Sequence, residues 1–305
     1  MNKIIILIFF LINTLWANIG TNEDLKVLKE LGLESSFLSD SEVINIYNEY
    51  SSKNKINYYR NVLKKSSLNA QIVRTEIENE NLHEATFFIP MIESSFVNQT
   101  RGKNSPGGLW QIIPDTAKHL KLRNDEFIDE RLDLIKSTDA ASSYLKRYYK
   151  KFDNKWYLSI LAYNCGEGRV IEAITRASLD RYLELNPNRT SGILRSFQRT
   201  LDDYKRTKRG ISDLYTIYGE LQGMEIPFDF EYLIKNNKKK QYLPESTLSY
   251  IKKIIIFSIL SNRNLFDDIR KSPYQLEKVK LSKGVSLKSV VLAIDFNSSE
   301  LEKIN

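Results

Sequence analysis

Histidine and cysteine are nearly missing from this chain. Its 305 residues hold two histidines, His83 and His119, and one cysteine, Cys165. A zinc site wants about four Cys, His or carboxylate ligands, so no metal site is expected, and no other cofactor either. One cysteine has no partner in its own chain for a disulfide. Glycine (12) and proline (7) are scarce against average usage of about 7% and 5%. Scarce turn residues argue for helices over many short strands. No G-x-G-x-x-G and no G-x-x-x-x-G-K-[ST] occurs, so dinucleotide-binding and P-loop readings have no motif. Any chemistry must come mainly from carboxylates, hydroxyls and amides. The length suffices for one good-sized core, or one core with a small second module.

What is present begins with a leader. Residues 1–17 (MNKIIILIFFLINTLWA) place Lys3 before an apolar run from Ile4 to Leu15, and Ala17 is a small residue before a cleavage point. This is the pattern of a signal peptide, and the run is short for a spanning helix. The expectation is an exported, periplasmic protein with membrane association; an uncleaved anchor is the alternative. No Cys follows the run, so a lipid-anchored form is not supported.

The formal net charge is +7. Basic residues are dispersed, with denser stretches at 195–209 and 235–240. Charge alone admits a nucleic-acid reading. An exported protein meets anionic wall polymer and anionic lipid first, so no nucleic-acid partner is expected. The segment 195–209 is expected either to make weak contact with membrane or wall polymer or to be a solvated helix face.

Apolar periodicity predicts three helices within 22–80, with stripes at Val43–Tyr50, Ile56–Leu63 and Leu68–Ile77. Residues 84–96 (EATFFIPMIESSF) predict a helix buried on most sides. Residues 97–113 carry three glycines and a proline, which predicts a loop with a short hairpin. Helices follow at Pro114–Lys118, Thr138–Phe152, Trp156–Cys165 (ended by Gly166) and Val170–Ala177. Residues 186–240 read as a polar, basic insertion, either a helical hairpin or a mobile segment. A helix restarts after Leu243-Pro244 and runs through Leu260. The expected domains are 1–17 signal peptide, 22–74 N-terminal helical region, 75–260 catalytic domain with the insertion 186–240, and a small α/β segment at 279–305.

Three short motifs carry chemistry. Glu93 ends an almost wholly apolar helix, and burial disfavours its charged form. A carboxylic acid kept protonated near neutral pH can protonate a leaving oxygen; a glutamate on the solvent edge of that helix is the alternative. In Gly107-Gly-Leu-Trp-Gln-Ile-Ile-Pro114, the glycines allow close backbone approach, Trp110 supplies a flat face and Gln111 an amide, a mixture that suits sugars. In Ala162-Tyr-Asn-Cys-Gly166, Tyr163 and Asn164 stand beside a helix-ending glycine. Each motif alone also fits ordinary core and turn.

In this order and spacing the pieces resemble the lysozyme-like lytic transglycosylases that carry an SLT domain, most closely the membrane-bound lytic murein transglycosylase D group. The matching residues are Glu93-Ser94, Gly108-Leu-Trp-Gln-Ile-Ile-Pro-Asp-Thr-Ala117, Ala162-Tyr-Asn-Cys-Gly166 and Leu243-Pro-Glu-Ser-Thr-Leu-Ser-Tyr250. The resemblance covers residues 75–180 well and 241–260 moderately. It implies a mainly α, goose-type lysozyme-like fold in which Glu93 is the catalytic acid/base. It further implies that Ser94, Trp110, Gln111, Tyr163 and Asn164 contact glycan and that Tyr250 stands near the glutamate. Cys165 occupies a place where members often have Ala. The family's Glu-Thr-Arg-x-Tyr pattern appears as Glu245-Ser-Thr-Leu248-Ser-Tyr250, with Leu248 in place of the arginine. The tail 279–305 is loosely similar to a lysin motif.

Hydrolytic glycosidases usually flank the bond with two carboxylates. No Asp or Glu lies between Glu93 and Asp115. One carboxylate fits an internal nucleophile: the C6 hydroxyl of muramic acid attacks its own C1, with Glu93 first acid and then base, leaving a 1,6-anhydro end on a peptidoglycan strand. The alternatives are a hydrolytic lysozyme that recruits Asp115 or Glu126, and a non-catalytic wall-binding or scaffold protein.

Overall fold

Thr21 opens the first helix by a reciprocal cap. Its hydroxyl accepts from the Asp24 N–H, and the Asp24 carboxylate accepts from the Thr21 N–H at 3.0 Å, satisfying two end donors at once. The computed structural model describes residues 19–188, 191–224 and 228–266, together with 282, 284–286, 289, 290 and 292. The expected leader, 1–17, and nearly all of the 279–305 segment lie outside the described residues.

The N-terminal region contains α1 (Asn22–Leu31), a 3₁₀ turn (Ser35–Ser39), α2 (Ser41–Tyr50), α3 (Lys53–Lys65) and α4 (Ser67–Asn79). The sequence reading gave three helices here. The fourth, α1, has too short an apolar stripe (Val27, Leu28, Leu31) to register by periodicity, but its cap was present in the sequence. The domain boundary expected at residues 74–75 falls inside α4.

The run 84–96, read as one helix, is a 3₁₀ turn (Glu84–Phe87) leading into the short α5 (Phe88–Ser94). Pro90 sits in the first turn of α5, where a missing N–H costs nothing. Next come α6 (Pro114–His119) and α7 (Leu134–Lys151). The latter starts a turn earlier than its apolar pattern suggests, because the Asp133 carboxylate caps the N–H groups of Ile135 and Lys136 at 3.1 and 2.9 Å. The chain continues with α8 (Trp156–Cys165) and α9 (Glu167–Leu185), the latter far longer than the Val170–Ala177 stripe alone. The insertion is helical: α10 (Gly192–Thr207), α11 (Ile211–Gly223) and α12 (Phe230–Lys240), with α11 lying along α9. The last described helix is α13 (Glu245–Asn262).

Two helices form the axis of the core. In α8 every residue from Trp156 to Ala162 is buried, and in α13 every residue from Ile254 to Ser261 is buried. Burial on all sides explains why neither shows a one-sided apolar stripe. Around this pair, α8 touches α1, α7 and α9, and α13 touches α1, α2, α5 and α8. Ion pairs fix it to the N-terminal region. The buried Lys252 ammonium lies 2.9 Å from Asp40 and also meets Glu42. Arg263 grips Asp24 and donates to the Tyr47 hydroxyl at 2.6 Å. Among the described residues, β-structure is confined to isolated bridges such as Thr100–Gly107 and Gly107–Ile112. No described helix is long and apolar enough to cross a membrane.

Candidate active site

The backbone turns abruptly after Glu93-Ser94. Ser95 and Phe96 both take left-handed backbone, with φ of 53° and 56°, a conformation that L-residues adopt at a cost. Two side chains of the N-terminal helices hold this turn. Ser66 donates to the Ser95 carbonyl at 3.3 Å and Asn69 donates to the Phe96 carbonyl at 2.9 Å. The strained turn ends α5 with Glu93 in its last turn, on a half-buried edge.

Burial pushes the Glu93 carboxyl above the ordinary glutamate value, and hydrogen bonding with Tyr250 acts the other way. Tyr250 comes from α13 and is buried; its own pKa is driven up by burial and by the negative charge of Glu93. Its hydroxyl has no partner at ordinary hydrogen-bond geometry among the described residues, so it is close to Glu93 without being locked to it. Tyr163, on α8, is likewise raised by burial and by Glu93. Both phenols are therefore neutral O–H groups, Tyr250 beside the carboxyl and Tyr163 near enough to feel its charge.

The loop 97–113 is built over a buried arginine. Arg131 is wholly buried; it grips Asp129 through Nε and Nη2 and donates to the carbonyls of Lys103, Ser105 and Ile112. Gly107 passes over its guanidinium, where a Cβ would stand 3.1 Å from Cζ. Gly108, at φ +74°, would place a Cβ 1.8 Å from the Arg131 carbonyl oxygen. The glycine pair is thus required by the closeness of Arg131. Ser94 ties this loop to α5, its hydroxyl lying 2.8 Å from the Leu109 carbonyl and 3.0 Å from that of Pro90. The Tyr163 hydroxyl donates to the Trp110 carbonyl at 2.6 Å.

These bonds place the expected residues. Glu93, Tyr163 and Tyr250 converge, and Ser94 and Tyr163 hold the loop that carries Gln111. Gln111 is half-buried at φ 47° and donates to its own turn, at the Gly108 carbonyl, at 2.8 Å. Asn164 is exposed and accepts from Thr247 of α13 at 2.9 Å, which ties the ends of α8 and α13 together. Trp110 departs from its sequence reading. Its ring is fully buried and its indole N–H donates to Thr138 at 2.9 Å. A ring so placed offers no face to a sugar and instead supports the loop from behind. Leu248, in the place of the family arginine, is buried in the core. Burial pushes the Cys165 thiol up to about 12, so it is protonated and unreactive. Among the described residues no group of three or more His, Cys, Asp or Glu side chains could hold a metal.

Sequence reasoning missed Arg131, the Ser66 and Asn69 props, Thr247 and Tyr144. The Tyr144 ring meets Tyr163 edge-on at 6.1 Å. An isolated arginine in a loop has no periodic signal, and the props act across long stretches of chain.

Comparison with known proteins now bears on this geometry. The transglycosylase SLT domain family model matches residues 72–183. That stretch contains Glu93, the glycine-rich loop and the end of α8, and its lysozyme-like helical fold agrees with the all-helical arrangement around them. A putative tributyltin chloride resistance protein of Alteromonas sp. (strain M-1) is 41% identical over 101 residues, 33% of this chain and 49% of that protein. Membrane-bound lytic murein transglycosylase D of Escherichia coli (strain K12) is 39% identical over 100 residues, 32% of this chain and 22% of the relative. Peptidoglycan transglycosylase gp16 of Escherichia phage T7 is 31% identical over 169 residues, 53% of this chain and 12% of the phage protein. The chain thus spans about half or less of the length of these relatives.

Proposed function

We propose that the protein is a peptidoglycan lytic transglycosylase, cutting the β-1,4 bond from N-acetylmuramic acid to N-acetylglucosamine without water. The observation that carries this reading is a single half-buried carboxyl, Glu93, at the end of an apolar helix beside the neutral phenol of Tyr250, where burial raises its proton affinity. Glu93 protonates the glycosidic oxygen and the bond breaks. The resulting carboxylate then takes the proton of the C6 hydroxyl as that oxygen closes on C1. The proton is returned within one cycle, and the product is a 1,6-anhydro end. The substrate's own N-acetyl group can share the positive charge at C1. The next carboxylate along the chain, Asp115, is exposed on α6, which favours an internal nucleophile over a two-carboxylate hydrolysis.

In this reading Gln111 and Asn164 hold N-acetyl and hydroxyl groups of the strand, Tyr163 and Tyr250 tune Glu93, and Ser94 positions the loop. The names of the relatives and the leader pattern support a site of action in the cell envelope. Of the cations at 195–209, Arg206 is paired with Asp203 and Lys208 with Glu172, and Lys205 lines a cavity beside α9 and α12, so the attraction of this stretch for an anionic wall rests on Arg195, Arg199 and Arg209. Digestion of purified murein followed by mass spectrometry tests the reading. Anhydro-muropeptides are expected. Hydrated ends would assign a lysozyme, and an untouched sacculus would assign a wall-binding protein.

A further inference from the structure

The insertion encloses a second concavity, of about 660 Å³, between α9, α10, α12 and the strand of chain that leads into α13. Its walls are basic. On α9, Arg169, Glu172 and Arg176 recur at helical spacing toward it. Glu172 is already neutralised: Lys208 lies 2.8 Å from one carboxylate oxygen and Arg176 3.8 Å from the other. Arg176 also donates to the carbonyls of Lys240 and Gln241 at 2.8 and 3.2 Å. The second acid, Glu245, accepts from Asn237 at 2.8 Å. Three cations remain, Arg169, Lys205 and Lys238. They come from three different helices, line the cavity and have no ion-pair partner among the described residues.

Three exposed cations on separate walls give the cavity a positive local potential, which Glu245 offsets only in part. They ask for a ligand with several anionic groups spread over its length. The volume is that of a small-molecule pocket and far exceeds a single inorganic anion. Tyr242, Leu243 and Pro244 add an apolar wall between the charges, which suits a short chain with uncharged stretches. The chain also links the wall of the cavity to the candidate active site. Glu245 lies two residues from Thr247, whose hydroxyl meets Asn164, and Arg169 lies one turn beyond the end of α8.

We propose that this cavity receives the carboxylates of the peptide stem carried on the glycan strand, so that the insertion selects peptide-bearing over bare glycan. This rests on the glycan-cleaving reading of the site, and the test separates the two. Titration calorimetry with an N-acetylated acidic stem peptide measures the cavity without any turnover. The unmodified protein is expected to bind the peptide. K205A/K238A is expected to weaken binding about tenfold or more, the change that follows from losing even one charge-assisted contact. Both lysines are exposed and unpaired, so the fold should tolerate the change, and K205R/K238R should restore affinity. In turnover, K205A/K238A should raise KM for peptide-bearing glycan and leave amidase-stripped glycan unchanged. No binding of the peptide, equal binding by the double alanine variant, or binding of inorganic phosphate as tight as that of the peptide would overturn the proposal. If the peptide binds as described and neither glycan is cut, the cavity stands and the catalytic reading falls.

Discussion

Tyr250 on α13 sets its hydroxyl toward the Glu93 carboxyl at the end of α5, and each shifts the other's proton affinity. Burial raises Glu93 and Tyr250 lowers it, while the Glu93 charge raises Tyr250. A general acid must begin the cycle protonated, so activity should fall as pH rises through the Glu93 pKa. Tyr250→Phe removes the lowering influence. The alkaline limb of kcat/KM on soluble glycan should then move to higher pH. A limb that stays in place would show that the hydroxyl does not act on the carboxyl.

Glu93→Gln should reduce turnover by about 10² to 10⁴, the usual range for loss of a general acid/base. Its effect on stability has the opposite sign. The folded pKa lies above the unfolded value, so the native state holds the proton more tightly. The associated stability is fully present below the unfolded pKa and is lost as pH rises through the folded one. At pH 7 the wild-type protein therefore carries the burial penalty, and Glu93→Gln should melt no lower than wild type. A clear drop in Tm at neutral pH would mean that the carboxylate holds the fold together.

Trp110 separates support from sugar contact. Trp110→Ala should cost about 3–5 kcal/mol in urea unfolding, as for other large buried aromatics. Trp110→Phe keeps a ring and loses the bond to Thr138, at about 1 kcal/mol. Its KM for glycan should stay at the wild-type value. A raised KM with unchanged stability would return the ring to the binding face.

Arg131 anchors the loop that presents Gln111. Arg131→Met leaves Asp129 and three backbone carbonyls without their donor, at a cost of about 3–5 kcal/mol. The Arg131 guanidinium is the largest cause of the lowered Asp129 pKa. That contribution is present above the unfolded aspartate pKa and lost as pH falls through the lowered folded value. Melting curves from pH 7 down to about 2 should show a steeper acid loss for wild type than for Arg131→Met, and parallel curves would refute the coupling.

Local signals and distant ones fared differently. Glu93 was legible because a carboxyl inside an apolar run violates the local pattern. The end of α8 was legible because an apolar run stops at Gly166. Leu194, Phe197, Leu201 and Tyr204 already spaced α10 as a helix, although the polar background obscured it. Arg131 was illegible because its partners are mostly carbonyls more than fifteen residues away, which leave no trace in side-chain spacing. Trp110 was misread because a tryptophan between glycines looks the same in sequence whether it faces the loop's outside or its inside. Only Thr138, on a helix not yet placed, decides between them.

The tie between Lys252 and the Asp40–Glu42 corner also bears on the order of synthesis. The same helix aims Tyr250 at Glu93 and Lys252 at α2, so the depth of Tyr250 is set by a grip on the N-terminal part of the chain. Glu93 leaves the ribosome long before α13 does. Until that helix arrives, the carboxyl lacks one wall of its pocket, the end of α8 lacks Thr247, and the burial that raises the proton affinity of Glu93 is incomplete. A nascent or truncated chain therefore holds a glutamate nearer its ordinary proton affinity, and the candidate site is complete only once α13 has closed on the N-terminal helices.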